Sequence, residues 1–270
     1  MTGQTAYVRS IQARSIRSTK IVGFGESVFE ELINSLEAEG IEFTEGDVLV
    51  IASKVVAMEQ KAAVRLEDVV PSARAIELSE QAKLDPRVAQ LVIEESGGEI
   101  YGSVPKAILA KTRFGISANA GIDLSNAPTG WALLLPREPD EYAERFRQQI
   151  HERFGIDIPV IIADSRTIPL RRGTTGIAIG LSGMDPVIDE RGQEDLYGYE
   201  MQITTRAVAD NLATVANLLM GETNERTPFA IISGADFIRS EKATLRSTLM
   251  PSDQCIYFAP FMKLYRKSQS

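Results

Sequence analysis

Four short apolar runs, each bounded by turn-forming or charged residues, constrain this chain more than any other feature. They are "GDVLVIAS" (46–53), "WALLLP" (131–136), "IPVIIADS" (158–165) and "PFAIISG" (228–234). Too short for helices, they read as strands buried within a sheet. Between them lie segments whose apolar residues recur at helical spacing. Val28, Phe29, Leu32, Ile33 and Leu36 define an amphipathic helix over 27–39, with Ser27 as its cap and Gly40 closing it. "DPRVAQLVIEES" (85–96) places Asp85 at a cap and Pro86 at the first helical position. Tyr142, Phe146 and Ile150 mark a helix over 138–155, and Val208, Leu212, Val215 and Leu219 mark another that Gly221 closes. The alternation is irregular, and 165–205 reads as long polar loops. The expected class is therefore α+β, a mixed β-sheet with packed helices, rather than a regular doubly wound fold. Residues 6–16 predict an edge strand and 263–270 a frayed tail. No repeat or linker divides the 270 residues. They are taken as one unit, 1–270, without an internal boundary, although the length also accommodates two lobes.

The formal net charge of −8 leaves no broad basic field for a nucleic-acid backbone, so no nucleic-acid partner is expected. No run approaches the roughly 18 apolar residues of a membrane span, and no membrane partner is expected. The basic first twenty residues lack an apolar leader core, which points to a cytoplasmic location. One cysteine, Cys255, excludes a disulfide framework within the chain, and one histidine, His151, disfavours a Cys/His zinc site. His151 lies in the charged stretch "RQQIHERFG" and reads as a surface residue. A Ser–His–Asp hydrolase would have to use it.

Three acids stand at the ends of elements rather than on solvent faces. Asp123 sits in "SANAGIDLSNAPTG" (117–130), a loop that opens a strand; Asp164, followed by Ser165, ends another; Glu222 follows Gly221 at a helix end. Hard cations such as Mg2+ and Mn2+ prefer carboxylate and hydroxyl oxygens, and strand ends bring such groups together from distant segments. Read singly, each acid is more simply a cap or turn residue. "RRGTTGIAIGLSG" (171–183) combines Arg171 and Arg172 with glycines and paired threonines, the makings of a phosphate or carboxylate cradle or of a plain turn. It has neither P-loop nor dinucleotide-fold spacing. "DERGQEDLYGYEMQ" (189–202) is a polar loop suited to substrate contact or to a dimer interface.

Taken in order, these stretches resemble the coenzyme F420-0:L-glutamate ligase (F420-0:gamma-glutamyl ligase) family. "ANAGIDLSN" (118–126) is similar to the family's most characteristic motif. "GDVLVIASKVV" (46–56), "VIIADS" (160–165), "RRGTTGIAIGLSG" (171–183), "VADNLATVANLLMGE" (208–222) and "TPFAIISG" (227–234) follow in the family's order. The resemblance implies that family's fold. It also implies GTP-dependent joining of L-glutamate to the carboxylate of F420-0 through an acyl phosphate, then γ-linked extension, with Mg2+ or Mn2+ and K+, in a homodimer. Carried over by position, it implies Asp123, Asp164, Ser165 and Glu222 on the metal. It places Asn126, Ser53, Lys54, Met220 and Gly221 at the nucleotide, and leaves Arg171 and Arg172 as phosphate or substrate candidates.

The chain also departs from the pattern. Ala57 and Met58 stand where the family has Ser and a nucleotide-side Lys, with Lys54 and Lys61 as nearby replacements. After Ser165 the family reads aromatic-Gly-Arg-Pro; this chain reads "RTIP", with Ile168 at the Arg position. "GFGES" (23–27) matches the family's N-terminal loop only loosely. These changes leave two alternatives open: a paralogue forming an amide on another phospho-carboxylate, and a non-catalytic nucleotide- or cofactor-binding protein.

Overall fold

The computed structural model describes residues 10–261. In chain order the first elements are β1 (Gln12–Ile16), α1 (Val28–Glu39), β2 (Val48–Ala52), α2 (Ser53–Glu59), β3 (Ala63–Arg65), α3 (Ala73–Ala82) and α4 (Pro86–Glu95). Then come β4 (Ile100–Val104), β5 (Ala107–Thr112), β6 (Gly115–Ala118), β7 (Trp131–Leu133) and α5 (Pro139–Phe154). The chain continues with β8 (Val160–Thr167), β9 (Thr174–Met184), β10 (Val187–Asp189), β11 (Thr205–Ala207), α6 (Val208–Met220), β12 (Phe229–Ser233) and β13 (Arg239–Ser240).

Six strands form the main sheet in the order β1-β12-β2-β8-β9-β13. Only β2 and β8 pair in parallel, Leu49 opposite Val160 through Ala52 opposite Ala163; the other pairings are antiparallel. The fold is thus α+β with a mixed sheet. Val48–Ile51 and Val160–Ile162 are fully buried, which explains why their apolar runs are continuous rather than alternating. β1 is an edge strand, as its sequence predicts. Residues 6–9 of that predicted strand, and the predicted tail at 263–270, lie outside the described residues.

The caps behave as local chemistry dictates. Ser27 Oγ accepts from Glu30 N–H at 3.2 Å, and Gly40 ends α1 in the left-handed conformation. Asp85 accepts from Arg87 N–H at 2.8 Å, with Pro86 at the start of α4.

The region 165–205 departs from expectation in its first half, which holds the end of β8, the eleven-residue β9 and the short β10, while 190–204 is an exposed loop as expected. Glycines masked β9 because they serve packing. A Cβ on Gly176 would stand 2.1 Å from the Ala213 carbonyl oxygen of α6, and one on Gly180 would stand 2.5 Å from the Pro139 carbonyl carbon of α5. Both helices therefore rest on bare backbone of β9, where a side chain would hold them off.

A second, smaller apolar core gathers Ala75 of α3, Val88, Leu91 and Val92 of α4, and Ile108 and Ala110 of β5, over the sheet β4-β5-β6. Beyond β12 the chain pairs β13 with β9 and buries Leu245. Phe258 then meets Tyr101 of β4 edge-on, with ring centroids 4.7 Å apart. Among the described residues, no helix is long and apolar enough to cross a membrane.

Candidate functional site

The parallel pair β2–β8 sets the level at which the site forms. Ala52 and Ala163 are opposite in register, so the next residues, Ser53 and Asp164, lie side by side where β2 ends; Asp164 does not end its own strand as the sequence suggested, because β8 stays paired with β9 as far as Thr167. Open sheets containing parallel strands commonly bind ligands at that end. Ser53 Oγ donates to Asp164 Oδ1 at 2.9 Å. A register shift between Ile162 and Ala163 leaves Ile179 as an extra residue on β9, and such bulges re-aim the side chains that follow. Burial pushes the Asp164 carboxyl up from its ordinary value, against the opposing pull of Ser53 and nearby cationic groups.

The loop 117–130 approaches from the second core. Asn119 and Ala120 both have positive φ, and the Asn119 carboxamide accepts from Ile108 N–H at 2.9 Å. Gly121 then passes over Leu135, where a Cβ would lie 2.6 Å from its methyl carbon. This turn fits only small residues, which accounts for the sequence "NAG". It delivers Asp123 to a two-way backbone bridge with Leu133, Asp123 N–H to the carbonyl at 3.0 Å and Leu133 N–H back at 2.8 Å.

With its backbone fixed, Asp123 meets Lys54 Nζ at 2.7 Å and accepts from Ser125 N–H at 2.6 Å. Lys54 also donates to Ser125 Oγ at 2.9 Å. Burial pushes the Asp123 carboxyl up, but Lys54 and Ser125 outweigh it and hold the group below its ordinary value. Asn126 turns the other way and donates to the Thr223 carbonyl at 3.0 Å. The loop thereby joins the segment after α6. There Glu222 Oε1 accepts from Thr174 Oγ1 at 2.8 Å and Asn217 Nδ2 at 2.9 Å.

These parts border one cleft of about 570 Å³. Ser53, Lys54, Asn126, Asp164, Ser165, Met220, Gly221 and Glu222 all line it, while Asp123 reaches it through Lys54. Its wall is mixed, with apolar residues such as Ile21, Val55, Met58 and Pro228 beside these polar groups. The structure does not bring every candidate there. Arg171 and Arg172 are exposed in the connection between β8 and β9 and are absent from the cleft wall. Ile168 is exposed beside them, and Lys61 lies against Gly25 at the end of α2. Lys54 is therefore the lysine that reaches the cleft, while Met58 sits buried in its wall and Ala57 is buried too.

Among the described residues, no three acidic, histidine or cysteine side chains are already gathered as a metal cage. The oxygen donors nevertheless suit a hard cation, and an ammonium already lies against one of the carboxylates. Ser125 is readable within "DLSN" and Thr174 as one of the paired threonines of "RRGTTG", but Asn217 gives no local signal.

The profile of the F420-0:gamma-glutamyl ligase family matches residues 16–234. Curated relatives cover most of the chain. The coenzyme F420:L-glutamate ligase of Methanopyrus kandleri is 42% identical over 200 residues, 74% of this chain and 79% of its own. That of Methanothermobacter thermautotrophicus is 37% identical over 220 residues, 81% of this chain and 87% of its own. That of Archaeoglobus fulgidus is 41% identical over 205 residues, 76% and 80% respectively. The matched span runs from the edge strand to the end of β12 and encloses every segment that walls the cleft. On this extent of similarity, the chain belongs to the F420-0:gamma-glutamyl ligase family.

Proposed function

We propose that this chain is a coenzyme F420:L-glutamate ligase. It joins the amine of L-glutamate to the carboxylate of F420-0, adds further γ-linked glutamates, and uses GTP as co-substrate. The observation that carries the reading is the convergence of Ser53–Asp164, Lys54–Asp123 and Asn126 at one cleft from distant segments. A carboxylate is a poor acyl donor until phosphate transfer turns its oxygen into a leaving group, and that transfer is governed by positioning and charge neutralisation. Lys54 supplies a fixed cation in the cleft wall. Ser53 and Asn126 supply hydrogen-bonding groups for phosphate oxygens, and the apolar residues of the wall have the character needed to cover a planar base. The glutamate amine then attacks the acyl phosphate, and phosphate leaves.

Asp123, Asp164, Ser165 and Glu222 are the residues that would hold Mg2+ or Mn2+, with K+ as the accompanying ion implied by the family resemblance. When bound, the divalent ion neutralises phosphate charge. The homodimer belongs to the same reading. It is supported by the exposed apolar side chains Leu196, Tyr197 and Ile203 between β10 and β11, which a second copy would cover; sedimentation as a monomer at micromolar concentration would remove it.

Met58 favours a second reading, amide formation on a different phospho-carboxylate, because its thioether offers no charge where the family has a lysine. One assay separates the two. Protein is incubated with F420-0, L-glutamate, GTP, Mn2+ and K+, and products are weighed by mass spectrometry. The proposal expects stepwise gain of glutamate with GTP consumed. Unchanged F420-0 with intact GTP would overturn it.

A further inference from the structure

Arg166 follows Asp164 by two positions on β8, so both side chains leave the strand on one face. Its Nη1 donates to the Phe114 carbonyl at 2.7 Å, in the turn between β5 and β6. That turn leads through β6 into the loop of Asp123 and Asn126. The rest of the guanidinium is unusual. Nε and Nη2 are buried and have no hydrogen-bond partner. Elsewhere in this protein the same edge grips a carboxylate at two points, as in Arg87 with Asp85, Arg147 with Asp157 and Arg191 with Asp189.

Burial pushes the Arg166 guanidinium down, and the fields of Asp164 and Asp210 oppose that shift. Asp210 accepts from Ala178 N–H at 2.9 Å, and Asp164 accepts from Ser53 Oγ at 2.9 Å and is also stabilised by the Ser165 backbone. Buried donors rarely stay unpaired, and the Nε/Nη2 fork matches the two oxygens of a carboxylate. The fork thus lies in the field of two carboxylates, and of these Asp164 shares its strand and its face. β8 ends at Thr167, so Arg166 is the cation that the strand itself carries beside Asp164.

We infer that Arg166 is a positioning residue. It ties β8 to the β5–β6 turn two residues beyond Asp164, and its open edge receives the Asp164 carboxylate when a ligand draws Ser53 away. Only the activity measurement below rests on the ligase reading.

The test uses the full chain with Arg166→Met, Arg166→Lys and Asp210→Asn, each checked for folding by thermal melting. Steady-state glutamate addition and Mn2+ titration without turnover are both measured. Groups that orient a ligating carboxylate are commonly worth about 10–100-fold in affinity or activity. Arg166→Met should lower kcat by about that factor, leave KM for GTP within about threefold, and weaken Mn2+ binding. Arg166→Lys keeps the charge without the fork and should recover less than half of the loss on a logarithmic scale. Wild-type values in Arg166→Lys would overturn the inference, as would a change in Arg166→Met confined to its melting temperature. If Arg166→Met fails to fold, Arg166→Lys decides alone. Should the effect of Arg166→Met vanish in an Asp210→Asn background, the open edge belongs to Asp210 and the inference falls. If the wild-type chain adds no glutamate, the ligase reading fails, and the Mn2+ affinities still decide the role of Arg166.

Discussion

Replacing Gly176 with alanine tests whether α6 is held against the bare backbone of β9. The added Cβ would stand 2.1 Å from the Ala213 carbonyl oxygen, 2.4 Å from its carbon and 2.8 Å from the Thr214 nitrogen. Nonbonded atoms reach their optimum near 3.5 Å, so the closest contact is short by about 1.4 Å. All three atoms are helix backbone, and no rotamer change relieves the clash. Either α6 moves off β9 or β9 bends. Overpacking of this kind costs about 1–3 kcal/mol, and the backbone contact places Gly176→Ala at or above the upper end. At roughly 2–4 °C per kcal/mol for a chain of this size, melting should fall by about 6–12 °C.

The displacement has a second readout. α6 carries Asn217 and leads into Glu222, whose carboxylate also meets Thr174 of β9, so GTP affinity should weaken in parallel. Gly40→Ala is the control. Nothing lies within 4 Å of its Cβ, and its cost of about 1–2 kcal/mol comes only from the left-handed backbone. A Gly176→Ala melt within 1 °C of wild type, at ~0.5 kcal/mol or less, would refute the packing argument.

Other outcomes follow from the same geometry. Asp123→Ala and Asp164→Ala should each abolish metal-dependent nucleotide binding, measured by titration with GTP and Mn2+; parent-like binding in both would remove the site. Gly121→Ala forces a Cβ against Leu135 and should loosen the Asp123 loop, raising KM for GTP more than it lowers the melting temperature. Arg147, with side chain 9% exposed, holds Asp157 and Glu241 and pulls both carboxyls below their ordinary values. The unfolded chain binds more protons in that window. The pair's stabilisation is therefore complete above the ordinary carboxylate pKa and disappears as pH falls through the lowered values. Arg147→Met should lose about 1–3 kcal/mol at neutral pH and show a flatter acid limb in pH-dependent melts than wild type.

Local chemistry was legible in the sequence where it is local in the structure. Ser27, Gly40, Asp85 and Pro86 mark helix ends because each acts on backbone within a few residues. The continuous apolar runs reported burial on both faces of β2 and β8. By contrast, α3 packs through Ala75 and Ala82, side chains too small to register as an apolar stripe. Gly176 and Gly180 looked like ligand-binding glycines because composition does not distinguish a backbone opened for phosphate from one opened for a helix. The acids Asp123, Asp164 and Glu222 stood out by position, but their partners did not. Ser53 and Asp164 are 111 positions apart, and only the parallel register of β2 and β8 makes them neighbours.

The similarity to the ligase family ends at residue 234, yet the folded body continues past it. Leu245 N–H is held by the Asp140 carboxylate at the start of α5, and Glu241 closes over the Arg147 guanidinium from the far side. A polypeptide stopped at the end of the matched span would leave that guanidinium open to water on one side and strip the Leu245 contact from α5. The span matched to the family and the set of residues that pack together thus differ, and the second is the longer.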